Sequence, residues 1–341
     1  IGTHALLEDR VDFFDLGLVV IDEQHRFGVE QRATLVGKAG SDRRPHVLVM
    51  TATPIPRTVA MTAFGALDIS TLSELPAGRS PITSHVVLSA EKPSHLARVW
   101  ERIVEEVRAG HQAYVVVPRI ASQEDKDLKP GQRQAIALED LAPQLIEGPL
   151  AGVRVGIMHG QMPGPDKDEV MQRFANGPAH KDGIDVLIST TVIEVGVDVA
   201  NATTMVIMDA DRFGISQLHQ LRGRVGRGSA PGLCLLVTEA PAFSPARERL
   251  AAVASTNDGF ELAALDLEQR REGDVLGRNQ SGMRSSLKLV SILRDESILE
   301  QARIAAVDIV NKDPELDSNP ALARAVQSLI DQARAEFVKK S

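Results

Sequence analysis

The sequence predicts an α/β protein with two doubly wound parallel sheets, followed by a mainly helical C-terminal region. Three observations support this class. Short apolar runs alternate with segments of helical periodicity as far as about Glu239. The first two runs, over 16–21 and 47–50, are continuously apolar, which is typical of strands buried on both faces of a parallel sheet. Beyond Glu239 the apolar residues recur only at helical spacing, so helices are expected to follow the sheets.

Composition limits the classes to which the 341-residue chain can belong. With 43% hydrophobic and 25% charged residues it is typical of soluble globular proteins, and its length predicts two or three domains. A single cysteine, Cys234, excludes a disulfide framework and fits the reducing cytoplasm. No apolar run approaches the ~18 residues of a membrane helix, so no membrane partner is expected. The net charge of −8 does not favour nucleic-acid binding, and with 3% aromatic residues any nucleic acid would be held mainly through its phosphates.

The N-terminal part is expected to contain the end of a first sheet. Polar residues follow each of its two apolar runs, Asp22–His25 after the first and Thr51–Pro54 after the second. Ligands of open α/β sheets bind at the carboxyl ends of strands, so both clusters are candidate site residues. Because the chain begins without methionine and soon enters a strand, we expect an incomplete sheet and a piece of a longer protein. The predicted elements are strands over 16–21 and 47–50, a helix over 57–64 and a linker over 76–81.

The next part predicts a complete sheet. Apolar residues at helical spacing predict a helix over 96–107 that stops at Gly110, with Trp100 in the core. Residues 121–135 are polar and irregular, which indicates an insertion or mobile loop. Near the C-terminus, Asn319-Pro320 predicts the N-cap and first turn of a last helix. The other predicted elements are strands over 114–117, 153–157, 185–189, 205–208 and 233–237, a helix over 166–176, and a helical stripe of Ile298, Ala302, Ala305 and Ile309.

The stretch 216–228 contains three arginines within six residues. Arg224 and Arg227 are three apart and would share one face of a helix. Three glycines in the same stretch disfavour a helix interior and indicate close approach of backbone or ligand. Because guanidinium is planar, permanently charged and forked, two such groups suit a polyphosphate in a cleft. A solvated basic turn is the alternative for this stretch taken alone.

Asp22 and Glu23 are adjacent carboxylates at the end of a predicted strand. In hydrolysis of a nucleoside triphosphate, Asp22 would hold Mg²⁺ and Glu23 would orient or deprotonate the attacking water. Taken alone, the pair indicates an acidic turn, and His25 a structural histidine. The combination is specific: Asp-Glu-Gln-His follows one strand, Thr-Ala-Thr-Pro follows the next, and the arginine stretch lies far downstream.

In this order the three motifs resemble those of superfamily 2 helicases and translocases, which bind ATP between two RecA-like lobes. Residues 22–25 look like their motif II, 51–53 like motif III, 189–198 like motif V and 220–227 like motif VI. The resemblance implies RecA-like parallel sheets, with the first lobe partial and the second complete. It also implies that the arginines reach ATP from the second lobe, which ties hydrolysis to closure of the lobes.

The resemblance further implies a role for each matching residue. Arg224 and Arg227 are expected to be arginine fingers that reach the γ-phosphate of ATP. The other expected catalytic residues are Asp22 and Glu23, which hold Mg²⁺ and activate water, together with His25 and Gln220. Gly196 and Asp198 are expected to approach the nucleotide. Contact with DNA, or coupling to it, is expected of Thr51, Thr53, Thr190, Thr191, Arg270 and Gln280.

Further stretches narrow the resemblance to the RecG family of branch-migrating DNA helicases. Residues 258–260, 266–268 and 276–282 look like the helical hairpin and loop that follow its second lobe and convert ATP turnover into movement on duplex DNA. The transcription-repair coupling translocases share this element, but 74–79, 189–198 and the residues around Gln280 favour the RecG family. The remaining matching stretches are 2–7, 22–28, 51–58 and 212–220.

The resemblance implies ATP and Mg²⁺ as cofactors and branched double-stranded DNA as the main partner. It implies action on stalled forks and Holliday junctions in recombination and repair. A single-strand-binding protein is a further expected partner, and the motor is expected to be a cytoplasmic monomer.

Two departures from the family bear on these expectations. No Gly-x-x-x-x-Gly-Lys-Ser/Thr loop occurs in the sequence. In the family this loop and a wedge domain lie upstream of the stretch matched from Gly2, so the isolated chain is expected to be inactive. The family's Arg-Gly-Pro-Gly-Glu and Thr-Arg-Gln runs fall here on 270–274 and 278–280. Arg270 and Gln280 keep the family residue, whereas Arg271-Glu272 and Arg278-Asn279 do not.

The predicted organisation is a first lobe over 1–80, a second lobe over 81–240, and a hairpin, loop and C-terminal helices over 241–341. The leading hypothesis is the motor portion of an ATP-dependent DNA helicase. Three alternatives stay open: a catalytically incomplete module that only binds DNA or a partner, a transcription-repair coupling type of translocase, and a generic α/β domain with coincidental motifs.

Overall fold

The computed structural model describes residues 1–23, 29–39, 45–51, 70–72, 80–121, 134–194, 198–270 and 296–328. The chain divides into two compact units, Ile1–Pro54 and Ile55–Ser341. The predicted helix over 57–64 and most of the predicted linker lie outside the described residues.

The first unit is built on a two-stranded parallel sheet. Its elements are a 3-10 turn at His4–Leu7, β1 at Leu18–Ile21, α1 at Val29–Gly37 and β2 at His46–Val49. Lys38, just after α1, donates from Nζ to the carbonyl oxygens of Glu8 at 2.9 Å and Val11 at 2.7 Å. These bonds fasten the N-terminal segment to the end of α1.

The burial of β1 differs from the expectation for this strand. Val19 and Ile21 are buried, but Leu18 and Val20 are 58% and 51% exposed. Successive side chains of a strand point to opposite faces of its sheet. The described residues therefore cover one face of β1, and burial on both faces is not observed.

The second unit is built on a parallel sheet with the strand order β3-β8-β7-β4-β6-β5. In chain order the strands are β3 at Ile82–Leu88, β4 at Gln112–Val116, β5 at Val155–Met158, β6 at Val186–Ser189, β7 at Ala202–Ile207 and β8 at Gly232–Thr238. The α/β class is confirmed, as are the five strands predicted for this part, β4 to β8. Because all pairs are parallel, the carboxyl ends of the strands share one edge.

β3 is the strand that the sequence did not predict. It lies at the edge of the sheet, and its side chains alternate between half-buried and exposed, with Val87 alone buried. The sequence of β3 contains three polar residues in a row, so it lacks the continuous apolar run that is typical of a strand buried on both faces.

Helices cover both faces of this sheet. One face is packed by α2 at Pro93–Arg108 and α3 at Leu138–Glu147. The other is packed by α4 at Gly164–Asn176, α5 at Ile215–Arg222, α6 at Pro245–Ser255 and α7 at Gly259–Arg270. Trp100 of α2 is buried, as predicted, and Gly110 has a φ of 85°, which favours glycine after a helix. α3 was not predicted, because Pro143 interrupts its pattern.

The helical C-terminal region is confirmed within the described residues. It continues from α6 and α7 to α8 at Glu296–Lys312 and α9 over 320–328. α9 begins at the predicted position, and the amide of Ala323 donates to the carbonyl of Asn319 at 3.0 Å. Ile298, which opens the predicted stripe on α8, is exposed. None of the described helices is long and apolar enough to cross a membrane.

Candidate nucleotide and DNA site

The arginine loop, defined here as residues 223–227, begins where α5 ends at Arg222. The prediction that Arg224 and Arg227 share a helical face is therefore wrong, because both lie beyond the helix. The amide of Gly223 still donates to the carbonyl of His219 at 3.0 Å, and this bond closes the last turn. The two guanidinium groups are placed by a turn instead of by helical spacing.

Gly226 explains the path of the arginine loop. Its φ of 69° lies in the left-handed region that favours glycine. A Cβ at this position would lie 2.8 Å from Cγ1 of Ile82 in β3, which is too close for a side chain. The predicted close approach of backbone is thus confirmed at Gly226, and β3 is the element approached.

Arg227 is fixed at two of its nitrogen atoms. Nε donates to the carbonyl of Gly223 at 2.9 Å, inside the arginine loop. Nη1 lies 3.3 Å from Oδ1 of Asp198. The side chains of Arg227 and Asp198 are 28% and 61% exposed, so this ion pair faces solvent. Two residues that the sequence assigned separately to the nucleotide are therefore brought together.

Tyr114 of β4 is close enough to Arg224, Arg227 and Asp198 for their charges to influence its pKa. Burial raises the pKa of Tyr114 to about 12, the positive charges of Arg224 and Arg227 oppose that rise, and Asp198 adds to it. Its ring packs against Phe174 with centroids 4.8 Å apart. The tyrosine is neutral at physiological pH and belongs to the buried core of the second unit.

Arg222 was not predicted as a site residue, yet it is almost fully buried. Its Nη1 donates to the carbonyl of Val253 at 2.8 Å and to that of Thr256 at 2.7 Å, where α6 ends. Arg249 of α6 donates in turn from Nη2 to the carbonyl of Asp211 at 2.6 Å. These bonds fasten α5 and the turn before it to α6. The acceptors are backbone carbonyls, so no sequence pattern could have revealed them.

Gln220 lies in the last turns of α5 and is half-buried. The helix is anchored by Leu218 and Leu221, which are fully buried, and the Oε1 atom of Gln217 accepts the amide of Gly214 at 3.2 Å. These contacts hold α5 in place, and Gln220 lies on this helix shortly before the arginine loop.

Thr190 and Thr191 follow β6 at the carboxyl edge of the sheet, where ligands of parallel sheets bind. Thr190 is buried, and its amide lies 3.3 Å from the carbonyl of Met158 at the end of β5. Thr191 is half-buried and opens the 3-10 turn Thr191–Glu194. Gly196 lies outside the described residues.

The acidic pair lies directly after β1, as predicted. Asp22 is exposed, and its Oδ1 accepts the amide of Glu23 at 2.9 Å. Glu23 has a φ of 53°, an uncommon value for a residue with a side chain. Within the described ranges no group of three His, Cys, Asp or Glu residues could hold a metal. The chemistry of two adjacent carboxylates fits Mg²⁺, which proteins commonly bind through one or two carboxylates plus substrate phosphates.

Thr51 lies after β2, next to the end of β1. The amide of Met50 donates to the carbonyl of Ile21 at 2.8 Å, so the two strands end side by side and bring Thr51 to the same edge as Asp22. His25 and Thr53 lie outside the described residues. The acidic pair and Thr51 belong to the first compact unit, and the arginine loop belongs to the second.

The remaining predicted residues concern the translocation element. Arg270 is the last residue of α7, which continues the helical region after α6. Gln280 and the two departures from the family pattern, Arg271-Glu272 and Arg278-Asn279, lie outside the described residues.

Two family models match the chain. Residues 95–229 match the helicase conserved C-terminal domain, which covers α2 through the arginine loop. Residues 256–336 match the model described as ATP-dependent DNA helicase RecG, domain 3, C-terminal. The second match begins at Thr256, whose carbonyl accepts a hydrogen bond from Arg222.

Curated relatives match along the whole chain. The chain is 53% identical over 341 residues to the ATP-dependent DNA helicase RecG of Mycobacterium tuberculosis, covering 100% of this chain and 45% of the relative. It is 45% identical over 313 residues to the protein of the same name from Bacillus subtilis, covering 92% and 43% respectively. The chain therefore spans about half the length of these relatives.

Solved structures show the same likeness. A RecG bound to a three-way DNA junction matches with 36% sequence identity and a TM-score of 0.59, over 88% of this chain and 36% of that one. The Mycobacterium smegmatis helicase Lhr, bound to single-stranded DNA and AMP-PNP, matches with 17% identity and a TM-score of 0.50, over 71% and 31%. The second likeness concerns the fold alone.

Proposed function

Because the chain belongs to the RecG helicase family, whose C-terminal part it spans, we propose that it is the motor portion of an ATP-dependent double-stranded DNA translocase. The observation that supports this most is the arginine loop. It presents Arg227 beside Asp198 and near Arg224, on a unit that matches the helicase C-terminal domain. Forked cations of this kind suit the charge that develops on a transferred phosphoryl group.

ATP is the proposed nucleotide, and Mg²⁺, when bound, would neutralise charge on its phosphates. Asp22 would hold the metal ion, and Glu23 with His25 would orient the attacking water. Gln220, Arg224 and Arg227 would act from the second lobe, and Gly196 with Asp198 would lie against the nucleotide. Because these residues belong to different lobes, the proposal predicts that hydrolysis is tied to domain motion.

Branched double-stranded DNA is the proposed substrate. Thr190 and Thr191 would bind phosphates, while Thr51 and Thr53 would couple this contact to hydrolysis. Arg270 and Gln280 would act in the element that moves along the duplex. A related RecG was solved bound to a three-way DNA junction, which supports this class of substrate. Because phosphate contacts carry no sequence information, binding would be independent of sequence and strongly salt-sensitive.

The proposed role in the cell is remodelling of stalled replication forks and Holliday junctions during recombination and repair. We further propose a cytoplasmic monomer with the lobe boundaries 1–80, 81–240 and 241–341, and a single-strand-binding protein as an additional partner. The binding-only module is the second candidate, because the sequence contains no phosphate-binding loop of the Gly-x-x-x-x-Gly-Lys-Ser/Thr type. In that case Arg224 and Arg227 would take no part in ATP hydrolysis.

ATPase measurements separate the two candidates. The full-length protein is expected to hydrolyse ATP in a DNA-dependent manner, and the isolated 341-residue chain is expected to show very little activity. Arg224→Ala and Arg227→Ala in the full-length protein should each lower kcat by about 10³-fold, the scale of an arginine finger. Arg108→Ala, at an exposed helix end, is the control. Normal DNA-stimulated turnover by Arg224→Ala would refute its finger role, and vigorous turnover by the isolated chain would refute the proposed nucleotide site.

A further inference from the structure

Asp209 is a buried carboxylate in an unusual backbone conformation. It follows β7, where the amide of Met208 still donates to the carbonyl of Val116 at 2.8 Å. Its φ of 49° and ψ of 45° are left-handed, and its side chain is only 2% exposed. Residues with a side chain adopt this conformation at a free-energy cost, so it persists only where surrounding contacts impose it.

The carboxylate of Asp209 supplies such a contact. Its Oδ2 accepts the amide of Ile136 at 2.7 Å, across 73 residues of sequence. Nε of Arg212 lies 3.8 Å from the same oxygen, and the amide of Arg212 donates to the carbonyl of Asp209 at 2.9 Å. A hydrogen bond to an ionised acceptor is stronger than a neutral one. One side chain therefore joins two separate segments at the carboxyl edge of the sheet.

The first segment consists of residues 119–121, which follow β4, and residues 134–137, which precede α3. Arg119 and Ala137 form a parallel bridge. The amide of Leu138 donates to the carbonyl of Arg119 at 3.0 Å, and the amide of Glu139 donates to that of Ile120 at 3.1 Å. The chain therefore returns to the point from which it left, and α3 starts there.

The second segment is the turn that leads into α5. A 3-10 turn at Ala210–Arg212 follows Asp209 directly, and Phe213 then enters the core. Gly214 caps α5, which bears Gln220 and leads into the arginine loop. The direction in which α5 starts is thus set within a few residues of Asp209.

We propose that Asp209 is a positioning residue that fixes the start of α5, and through it Gln220 and the arginine loop, against residues 119–121 and 134–137. It does not itself touch nucleotide. The proposal rests on the proposed function for its effect on ATP hydrolysis, but its structural part can be tested without any turnover.

Two substitutions separate the carboxylate from the backbone conformation. Asn keeps an oxygen acceptor and tolerates left-handed φ and ψ, so Asp209→Asn should retain both features. Gly accepts the backbone conformation without strain but has no side-chain acceptor, so Asp209→Gly removes the link while the left-handed conformation stays allowed. Asp182→Gly, the same change at an exposed turn, is the matched control.

Hydrogen–deuterium exchange of the 341-residue chain tests the structural part. In Asp209→Gly, peptides containing Ile136 should exchange about tenfold faster, as expected for loss of a charged hydrogen bond. Peptides covering 215–225 should accelerate as well, while peptides covering β5 should not change. Asp182→Gly should match the wild type, and Asp209→Asn, which keeps a neutral acceptor, should exchange at a rate between the wild type and Asp209→Gly. Faster exchange at Ile136 without any change over 215–225 would overturn the proposal.

Steady-state kinetics of the full-length protein test the functional part. Asp209→Gly should lower kcat for DNA-stimulated ATP hydrolysis at least threefold with KM for ATP nearly unchanged, because arginine fingers act mainly in the transition state. Asp209→Asn should restore kcat. Unchanged kcat in Asp209→Gly would overturn the positioning role. Wild-type protein without ATPase would instead refute the proposed function, and the exchange result would stand apart from it.

Discussion

Nη1 of Arg227 lies 3.3 Å from Oδ1 of Asp198, and Nε of the same guanidinium is bonded to the carbonyl of Gly223. The carbonyl bond lies within the arginine loop and orients the side chain. The carboxylate is mostly exposed, so it balances the charge of Arg227 without burying it. An exposed partner of this kind can be exchanged for a phosphate at low free-energy cost.

The ion pair between Asp198 and Arg227 is therefore expected to contribute little to stability. Asp198→Ala should change the free energy of unfolding of the 341-residue chain by less than about 1 kcal/mol, the usual range for exposed pairs. Urea titrations followed by fluorescence of Trp100, the single tryptophan, report on the unit that contains the pair. A double-mutant cycle with Arg227→Ala isolates the pairwise coupling. A coupling free energy above about 2 kcal/mol would contradict this expectation and show that the ion pair stabilises the fold.

Arg222 should matter far more for stability than its neighbours in the loop. Arg222→Ala removes two hydrogen bonds from a charged donor to the carbonyls of Val253 and Thr256, so we expect a loss of about 3 kcal/mol. The same urea titration measures it. Arg108→Ala, on an exposed surface, should stay within about 0.5 kcal/mol of wild type. Equal effects of both substitutions would contradict the assigned role.

Tyr114 should resist ionisation in the folded protein. It is the single tyrosine, so near-ultraviolet absorbance of tyrosinate follows it alone. Burial raises its pKa to about 12, compared with about 10 in an unfolded chain. Between these values the unfolded state has lost a proton that the folded state keeps, so this residue makes stability fall as pH rises through that window. Tyr114→Phe should remove that part of the pH dependence. Tyrosinate absorbance appearing near pH 10 while the Trp100 fluorescence stays native would refute the burial of Tyr114.

The thiol of Cys234 should not react with added reagents until the second unit unfolds. Cys234 is fully buried in β8, and burial raises the pKa of its thiol to about 12. The thiolate is the reactive form, so a disulfide reagent should modify native protein only as fast as the chain unfolds. The rate can be measured against urea concentration, with Cys234→Ser as the blank. Immediate reaction in native buffer would show that the site is accessible.

Parts of the fold and of the candidate site followed directly from residue patterns. Strands β4, β6, β7 and β8 were predictable because each contains an apolar run that is buried on both faces. β5 was predicted from a shorter apolar pattern, although it lies at one edge of the sheet with one face half-buried. β3, at the other edge, alternates between half-buried and exposed residues and was missed. The roles of the motif residues stay predictions from residue type and order, and the path of the arginine loop was misjudged. Spacing suggested a helix, whereas Gly223 and the left-handed Gly226 end it at Arg222.

Residue type and local spacing were enough to predict the α/β class, the order of the motifs and the chemistry of the groups that they contain. The packing of distant elements was needed to show which groups meet: Asp198 with Arg227, Arg222 with the end of α6, and Asp209 with Ile136. In the last two the partner is backbone, which every residue carries and no side-chain pattern marks. The positions of these contacts therefore depend on how the parallel strands and their connections are packed.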